Sequence, residues 1–503
     1  MSDAPRTQLP IETPRVSTGI AGLDEILGGG LPAGHMYLIE GESGAGKTTV
    51  GMQFLLDGVR RGERTLWISL SEEAPDLARI AASHGWSFDG VVVSNPSSPA
   101  KDLDPEQQYS FFSPSDVELD DMRGAVVAAV EQVRPHRVVF DPFSDVRHLS
   151  RDVLKYRRQV LLLRALFAAH GCTALLMQEM SRDTPGDVQA EALVHGYLTL
   201  HQDSPDFGGQ RRRVRVHKMR GIPFRGGYHD FTIETGGVQV YPRLVAADHF
   251  EPLGEESISS GVKPLDDLLG GGVPRGSNLL VLGPAGVGKS VLMTQYAVAA
   301  AERGERVSLF IFDETARTFA SRSASLGLAI DGHIRSGMIV LKQVDSAEFS
   351  AGRFTHTVMR EVDEFNSQLI VIDSLSGYLN SMPEERFLAT HLHELLTYLN
   401  HRNVVTLLTL AQHGFMGERV TSPLDISYLA DTVLMLAYFE AFGAVRRAIS
   451  VAKKRSGAHE VYVREMTVAE HGVRLGEPLV EFHGVLTGHP QYSGTHGDLD
   501  RKA

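Results

Sequence analysis

The chain runs as short apolar stretches separated by amphipathic ones. Met36-Tyr-Leu-Ile-Glu40 is an apolar run of strand length, and after a glycine-rich loop Met52, Phe54, Leu55 and Val59 recur at helical spacing. Thr65-Leu-Trp-Ile-Ser-Leu70 and Arg137-Val-Val-Phe140 read as further strands. Strands apolar on both faces and separated by helices predict a mainly parallel, twisted sheet flanked by helices, the α/β class.

The pattern occurs twice. The stretch Val16–Gly34 recurs as Ile258–Gly276, and both copies end in Gly-Gly-Gly-x-Pro-x-Gly. The offset of 242 residues persists from Gly41 to Gly283, from Lys47 to Lys289, and between the Arg-Gly-Glu-Arg runs that begin at Arg61 and Arg303. A register kept over two strands and a helix marks a duplicated unit. The expected layout is an N-terminal tail over 1–14, a first domain over 15–246, a linker over 247–256, a second domain over 257–490 and a C-terminal tail over 491–503. The linker lies within the proline-bearing, charged stretch Pro242–Glu256.

Each copy carries a phosphate-loop signature between its predicted strand and helix. Gly41-Glu42-Ser43-Gly44-Ala45-Gly46-Lys47-Thr48, followed by Thr49, matches G-x-x-x-x-G-K-[ST]. So does Gly283-Pro284-Ala285-Gly286-Val287-Gly288-Lys289-Ser290, followed by Val291. Glycines let the backbone curl so that several N–H groups and the positive end of the helix face one anion. Lys47 and Lys289 are expected to reach the outer phosphates of ATP, and Thr48 and Ser290 to offer a hydroxyl to Mg²⁺.

The other candidates lie at strand ends. Arg137-Val-Val-Phe-Asp141 and Leu369-Ile-Val-Ile-Asp373 are apolar runs closing on an aspartate that can hold the magnesium shell. Hydrolysis also needs a group that orients or deprotonates water. Glu72 and Glu73 follow the second strand of the first copy, and Asp313 and Glu314 follow its counterpart. Carrying the offset forward without a gap pairs Glu72 with Glu314 and Ser71 with Asp313.

Composition narrows the partners. Of 503 residues, 42% are hydrophobic and 22% charged, an ordinary balance for folded domains, and the length suits two of them. With 49 Lys and Arg against 62 Asp and Glu, the net charge of -13 disfavours nucleic acid and anionic membrane unless a local basic stripe exists. Gln210-Arg-Arg-Arg-Val-Arg215 is such a stripe. The single cysteine, Cys172, sits in an apolar run and reads as a small buried side chain. No apolar run approaches the ~18 residues of a membrane helix, so a cytoplasmic protein is expected.

Taken together, the Ser-Thr-Gly-Ile-x-Gly-Leu-Asp opening, the doubled glycine approach and the acidic pairs resemble the KaiC family of double-domain, RecA-like circadian clock ATPases and autokinases. The resemblance covers nearly the whole chain. It implies a homo-hexamer of two stacked rings with ATP at subunit boundaries. It also implies a Lys-x-Arg element that reaches a neighbour's nucleotide, matched by Lys218 and Arg220 in the first half and Lys453 and Arg455 in the second. A cation arriving across a boundary stabilises charge on the transferring phosphoryl group.

In that family the second domain phosphorylates adjacent Ser and Thr residues. Ser427 falls on the first acceptor, Tyr428 occupies the threonine position, and Ser422 lies where the pattern has a further hydroxyl. Asp313 stands where the family has the first glutamate of its pair. Only Gln491–Ala503 follows the second core, so capture by KaiA is not expected, while a KaiB-like partner stays open. Two other readings compete: a RecA-like DNA recombinase or helicase motor using Gln210–Arg215, and a signalling scaffold that binds ATP only to assemble.

Overall fold

The computed structural model describes residues 14–96, 114–150, 152–180, 188–205, 208–251, 256–345, 347–380, 387–412, 428–470, 472–486 and 490–493. The chain divides into two units, Met1–Arg243 and Leu244–Ala503. Leu244 and Ala246 are buried in a core cluster of the second unit. Among the described residues no helix is long and apolar enough to cross a membrane.

Each unit is built on a nine-stranded sheet. In the first, Met36–Gly41 is central and pairs in parallel with Thr173–Glu179 on one side and Gly196–Asp203 on the other. Beyond Thr173–Glu179 lie Arg137–Asp141, Thr65–Ser69 and Val91–Ser94, all parallel. Beyond Gly196–Asp203 the sheet turns antiparallel through Arg211–Met219, Tyr228–Glu234 and Gly237–Tyr241. The second unit repeats this order: Asn278–Gly283 lies between Val405–Ala411 and Thr432–Ala441, with Ser367–Asp373, Arg306–Ile311 and Ile339–Gln343 outward on the parallel side. Two mainly parallel sheets flanked by helices are two tandem RecA-like folds.

Alternation along the central strand divides the first unit's core into two layers. Tyr37 and Ile39 pack with Phe54 and Trp67 on one face, and Met36 and Leu38 with Phe140 and Phe167 on the other. Cys172 is fully buried in the second of these layers, and burial pushes its thiol up to about 11.

One strand residue departs from its apolar surroundings. Arg137 is almost wholly buried, donates to the carbonyls of Phe54 at 2.8 Å and Ser17 at 2.9 Å, and pairs with Asp57 at 3.1 Å and with Glu63. Its guanidinium also lies 4.9 Å from the Phe54 ring centroid. The arginine thus ties the helix Lys47–Arg60 to the strand that ends in Asp141.

Candidate nucleotide sites

Both phosphate loops sit where the central strand gives way to a helix. In the first, Gly44 and Gly46 have φ of 80° and 99°, conformations that side chains rarely adopt, and a Cβ on Gly46 would fall 2.6 Å from Cδ1 of Ile233. The helix Lys47–Arg60 begins at once, so its first N–H groups face the loop. Ala45 is buried and anchors the loop by donating to Glu42 O, Ser43 and Gly44 are exposed, and Thr49 is buried against the core. Lys47 folds its ammonium onto the carbonyls of Gly41 and Glu42, each at 2.8 Å. Burial lowers its pKa, opposed by Asp141, Glu179 and Glu40.

Two oxygen donors converge beside that lysine. Thr48 Oγ1 donates to Asp141 Oδ2 at 3.0 Å. Burial pushes the Asp141 carboxyl up to about 6; the Thr48 hydrogen bond opposes this and the nearby Glu72 adds to it. Glu72 is half-buried, its main-chain N–H donates to Ser69 Oγ at 2.9 Å, and burial followed by Asp76 raises its pKa. Glu73 is exposed and occupies the N-cap position of the helix Ala74–Ser83 without a side-chain cap hydrogen bond. The structure therefore brings Lys47, Thr48, Asp141 and Glu72 into one electrostatic neighbourhood and leaves Glu73 at its rim.

The second unit repeats the cradle with different hydrogen bonds. Gly286 and Gly288 have φ of 76° and 114°, Val287 is buried, Ala285 is exposed, and the helix Lys289–Glu302 follows with Ser290 and Val291 half-buried in its first turn. Lys289 donates to the carbonyls of Gly283 and Pro284, each at 2.8 Å, and burial lowers its pKa. The buried Asp373 takes its hydrogen bond from Thr409 Oγ1, and the hydroxyl of Ser374 donates to Asp313 Oδ2 at 2.5 Å. Glu314 is paired with Arg322 at 2.7 Å; burial raises its pKa, Arg322 opposes, and Asp373 and Asp313 add to the rise.

The two acidic pairs stand one position apart. The strands Thr65–Ser69 and Arg306–Ile311 end at residues 69 and 311, and the helices that follow start at Ala74 and Ala316, all at the offset of 242. Glu72 and Glu314 are therefore counterparts, as are Ser71 and Asp313. Thr409 was not visible as a site residue in the sequence. Its one signal is a threonine within the buried run Val405–Ala411, and only the sheet register places it beside Asp373.

The four Lys-x-Arg cations are held by carbonyls. Lys218 donates to the carbonyls of Glu191 at 2.7 Å and Val194 at 3.0 Å, and Arg220 to Ala192 O at 3.0 Å. Lys453 donates to Ala430 O at 2.9 Å, while Arg455 reaches Tyr428 O and pairs with Asp431 at 3.3 Å. Ser427 and Ser422 lie outside the described residues; Tyr428 is described and exposed. Within the basic stripe, Arg213 pairs with Asp203 at 2.6 Å, and Arg213 and Arg215 both lie over the Tyr228 ring.

A family model described as "ATPase: KaiC" matches residues 16–245 and again residues 258–480. The chain belongs to the KaiC family. Among curated relatives, it is 29% identical over 487 residues to the circadian clock oscillator protein KaiC of a Picosynechococcus strain, covering 95% of this chain and 92% of that one. It is 28% identical to KaiC of Acaryochloris marina over 503 residues, with 98% and 93% covered, and 27% identical to KaiC of Thermostichus vulcanus, with 97% and 94% covered. Each half of this KaiC-family ATPase thus carries one match and one phosphate loop.

Proposed function

We propose that both domains bind Mg·ATP, that hydrolysis takes place chiefly in the first, and that the second transfers phosphate to water or to Ser427. The observation that carries this reading is the meeting of Thr48 with Asp141 beside a lysine already seated on its phosphate loop. A hydroxyl and a carboxylate suit a hard divalent cation, which takes its remaining ligands from phosphate and water. When bound, magnesium would neutralise charge on the phosphates. The residues of the chain do the rest: loop amides and Lys47 orient the phosphates, and Glu72, poised by burial, accepts a proton from the attacking water.

The reading extends by resemblance to a homo-hexamer in which Lys218, Arg220, Lys453 and Arg455 face neighbouring nucleotides. It includes a role in circadian timing or stress signalling, with a KaiB-like protein as a partner. The DNA motor is disfavoured by the net charge of -13 and because the basic stripe lies on the same strand, Arg211–Met219, as Lys218. Phosphate release and mapping of phosphorylated residues in the purified chain with Mg·ATP test the scheme. Lys47→Ala is expected to lose most hydrolysis, and Lys289→Ala to lose phosphate on Ser427. Hexamers that form on ATP without turnover would instead establish the scaffold, and stimulation by DNA with a steep salt dependence would establish the motor.

A further inference from the structure

At the N-terminal end of the central strand Met36–Gly41 the first unit holds a cavity of about 270 Å³. His35, Met36, Arg164, Phe167, His195 and Arg220 line it, and among the described residues no carboxylate does. Arg164 donates to Leu193 O at 3.2 Å and Arg220 to Ala192 O at 3.0 Å, and neither guanidinium meets a carboxylate among the described residues. The imidazoles of His35 and His195 are stacked with centroids 3.8 Å apart. Burial lowers the pKa of both, so the cavity's charge at neutral pH comes from the two arginines.

The second unit shows what is missing. His195 N donates to Met36 O and Arg220 N to His195 O; Asp431 N donates to Asn278 O and Arg455 N to Asp431 O. His195 and Asp431 are therefore backbone counterparts, as are Arg220 and Arg455. In the second unit Asp431 pairs with Arg455 at 3.3 Å, and its other oxygen accepts from Asn278 N at 3.0 Å. The helix ends at His170 and Arg402 match in the same way, which puts the buried Leu396 where the first unit has Arg164. The second unit has thus built in one carboxylate and lacks one arginine. At the matching positions the first unit has His195 in place of the carboxylate and Arg164 in place of the leucine, and both line its cavity.

We propose that this cavity binds a small carboxylate whose head replaces the absent aspartate between Arg164 and Arg220, and whose apolar body lies against Met36 and Phe167. Two guanidiniums select an anion, charge-assisted hydrogen bonds supply the affinity, and the apolar wall selects against inorganic oxyanions. The site stands on the cavity and does not depend on Arg220 serving a neighbouring nucleotide.

Calorimetric titration of the full chain with benzoate, benzamide and inorganic phosphate tests the assignment. Benzoate is expected to bind, while its neutral isostere benzamide and phosphate do not. Arg164→Met, an exposed position, and His195→Asp, which restores the built-in carboxylate, should each weaken benzoate about tenfold or more. Thermal melting confirms that each variant is folded, and either one alone suffices. Absence of benzoate binding, equal binding of benzamide or phosphate, or affinity unchanged in a folded variant would overturn the proposal.

Discussion

The hydroxyl of Thr48 donates to the carboxylate of Asp141 at 3.0 Å, joining the first turn of a helix to a strand end 93 residues later. Its counterpart in the second unit is different: Asp373 is held by Thr409, on the neighbouring strand. The register that sets Ile39 beside Met177 in the first sheet sets Val281 beside Thr409 in the second. Two matching phosphate-loop motifs therefore sit on carboxylates oriented by different donors.

That difference is measurable within one strand. Thr409→Val removes a donor from a buried carboxylate and should lower local stability by about 1–3 kcal/mol. Thr406, also buried on Val405–Ala411, has a hydroxyl with no partner among the described residues, so Thr406→Val should be neutral or stabilising. Hydrogen exchange along the strand distinguishes the two. Equal effects would show that the Thr409 hydrogen bond contributes nothing.

The acidic residues separate in the same manner. Glu72 is half-buried and adds to the raised pKa of Asp141, while Glu73 is exposed at the helix cap. In a Lys289→Ala background, Glu72→Gln should cut phosphate release on the order of 10²–10⁴-fold, and Glu73→Gln by less than about tenfold. The reverse ranking would move the water-orienting role to Glu73.

What could be read from the chain alone was what is contiguous in it. The glycine loops, the strand-end aspartates and the repeat are local patterns, and each needs only a strand followed by a turn or helix. The gapless pairing of Glu72 with Glu314 was legible because no insertion separates either from its phosphate loop. Thr409, the burial of Arg137 and the exchange of Asp431 for His195 were not, because each depends on which strands become neighbours. Arg137 opened an apolar run in the sequence, and nothing local linked it to Asp57 and Glu63.

Arg137 also gives a stability prediction with a built-in reporter. The chain's 2 tryptophans, Trp67 and Trp86, both lie in the first unit, so their emission follows its unfolding alone. Arg137→Met would take the cation from Glu63, leave Asp57 with Arg60 and Arg61 alone, and should cost about 1–3 kcal/mol in urea. Replacing all three residues by apolar ones should recover much of that loss. A single-variant cost near zero would mean that the guanidinium is not an organising element.

The same reporter reads a pH dependence centred on His229. This ring is buried with both nitrogens engaged: Nδ1 accepts from Arg243 N at 2.8 Å, and Nε2 donates to Arg225 O at 3.0 Å. The contacts select the neutral tautomer, because a proton on Nδ1 would point at an N–H donor. Burial pulls the pKa from 6.5 down to about 4; the hydrogen bond to Arg225 opposes this, and the charges of Arg243 and Arg225 reinforce it. As pH falls below 6.5 the unfolded chain takes up a proton that the folded chain refuses until about 4. The contribution of His229 is therefore complete above 6.5 and drains away as pH falls toward 4, by on the order of 3 kcal/mol. His229→Gln should be destabilised relative to wild type at pH 7.5, and the gap should shrink steadily between pH 6.5 and 4, since all other titrating groups cancel in the difference. A gap that stays constant across that range would mean that His229 titrates alike in the folded and unfolded chains.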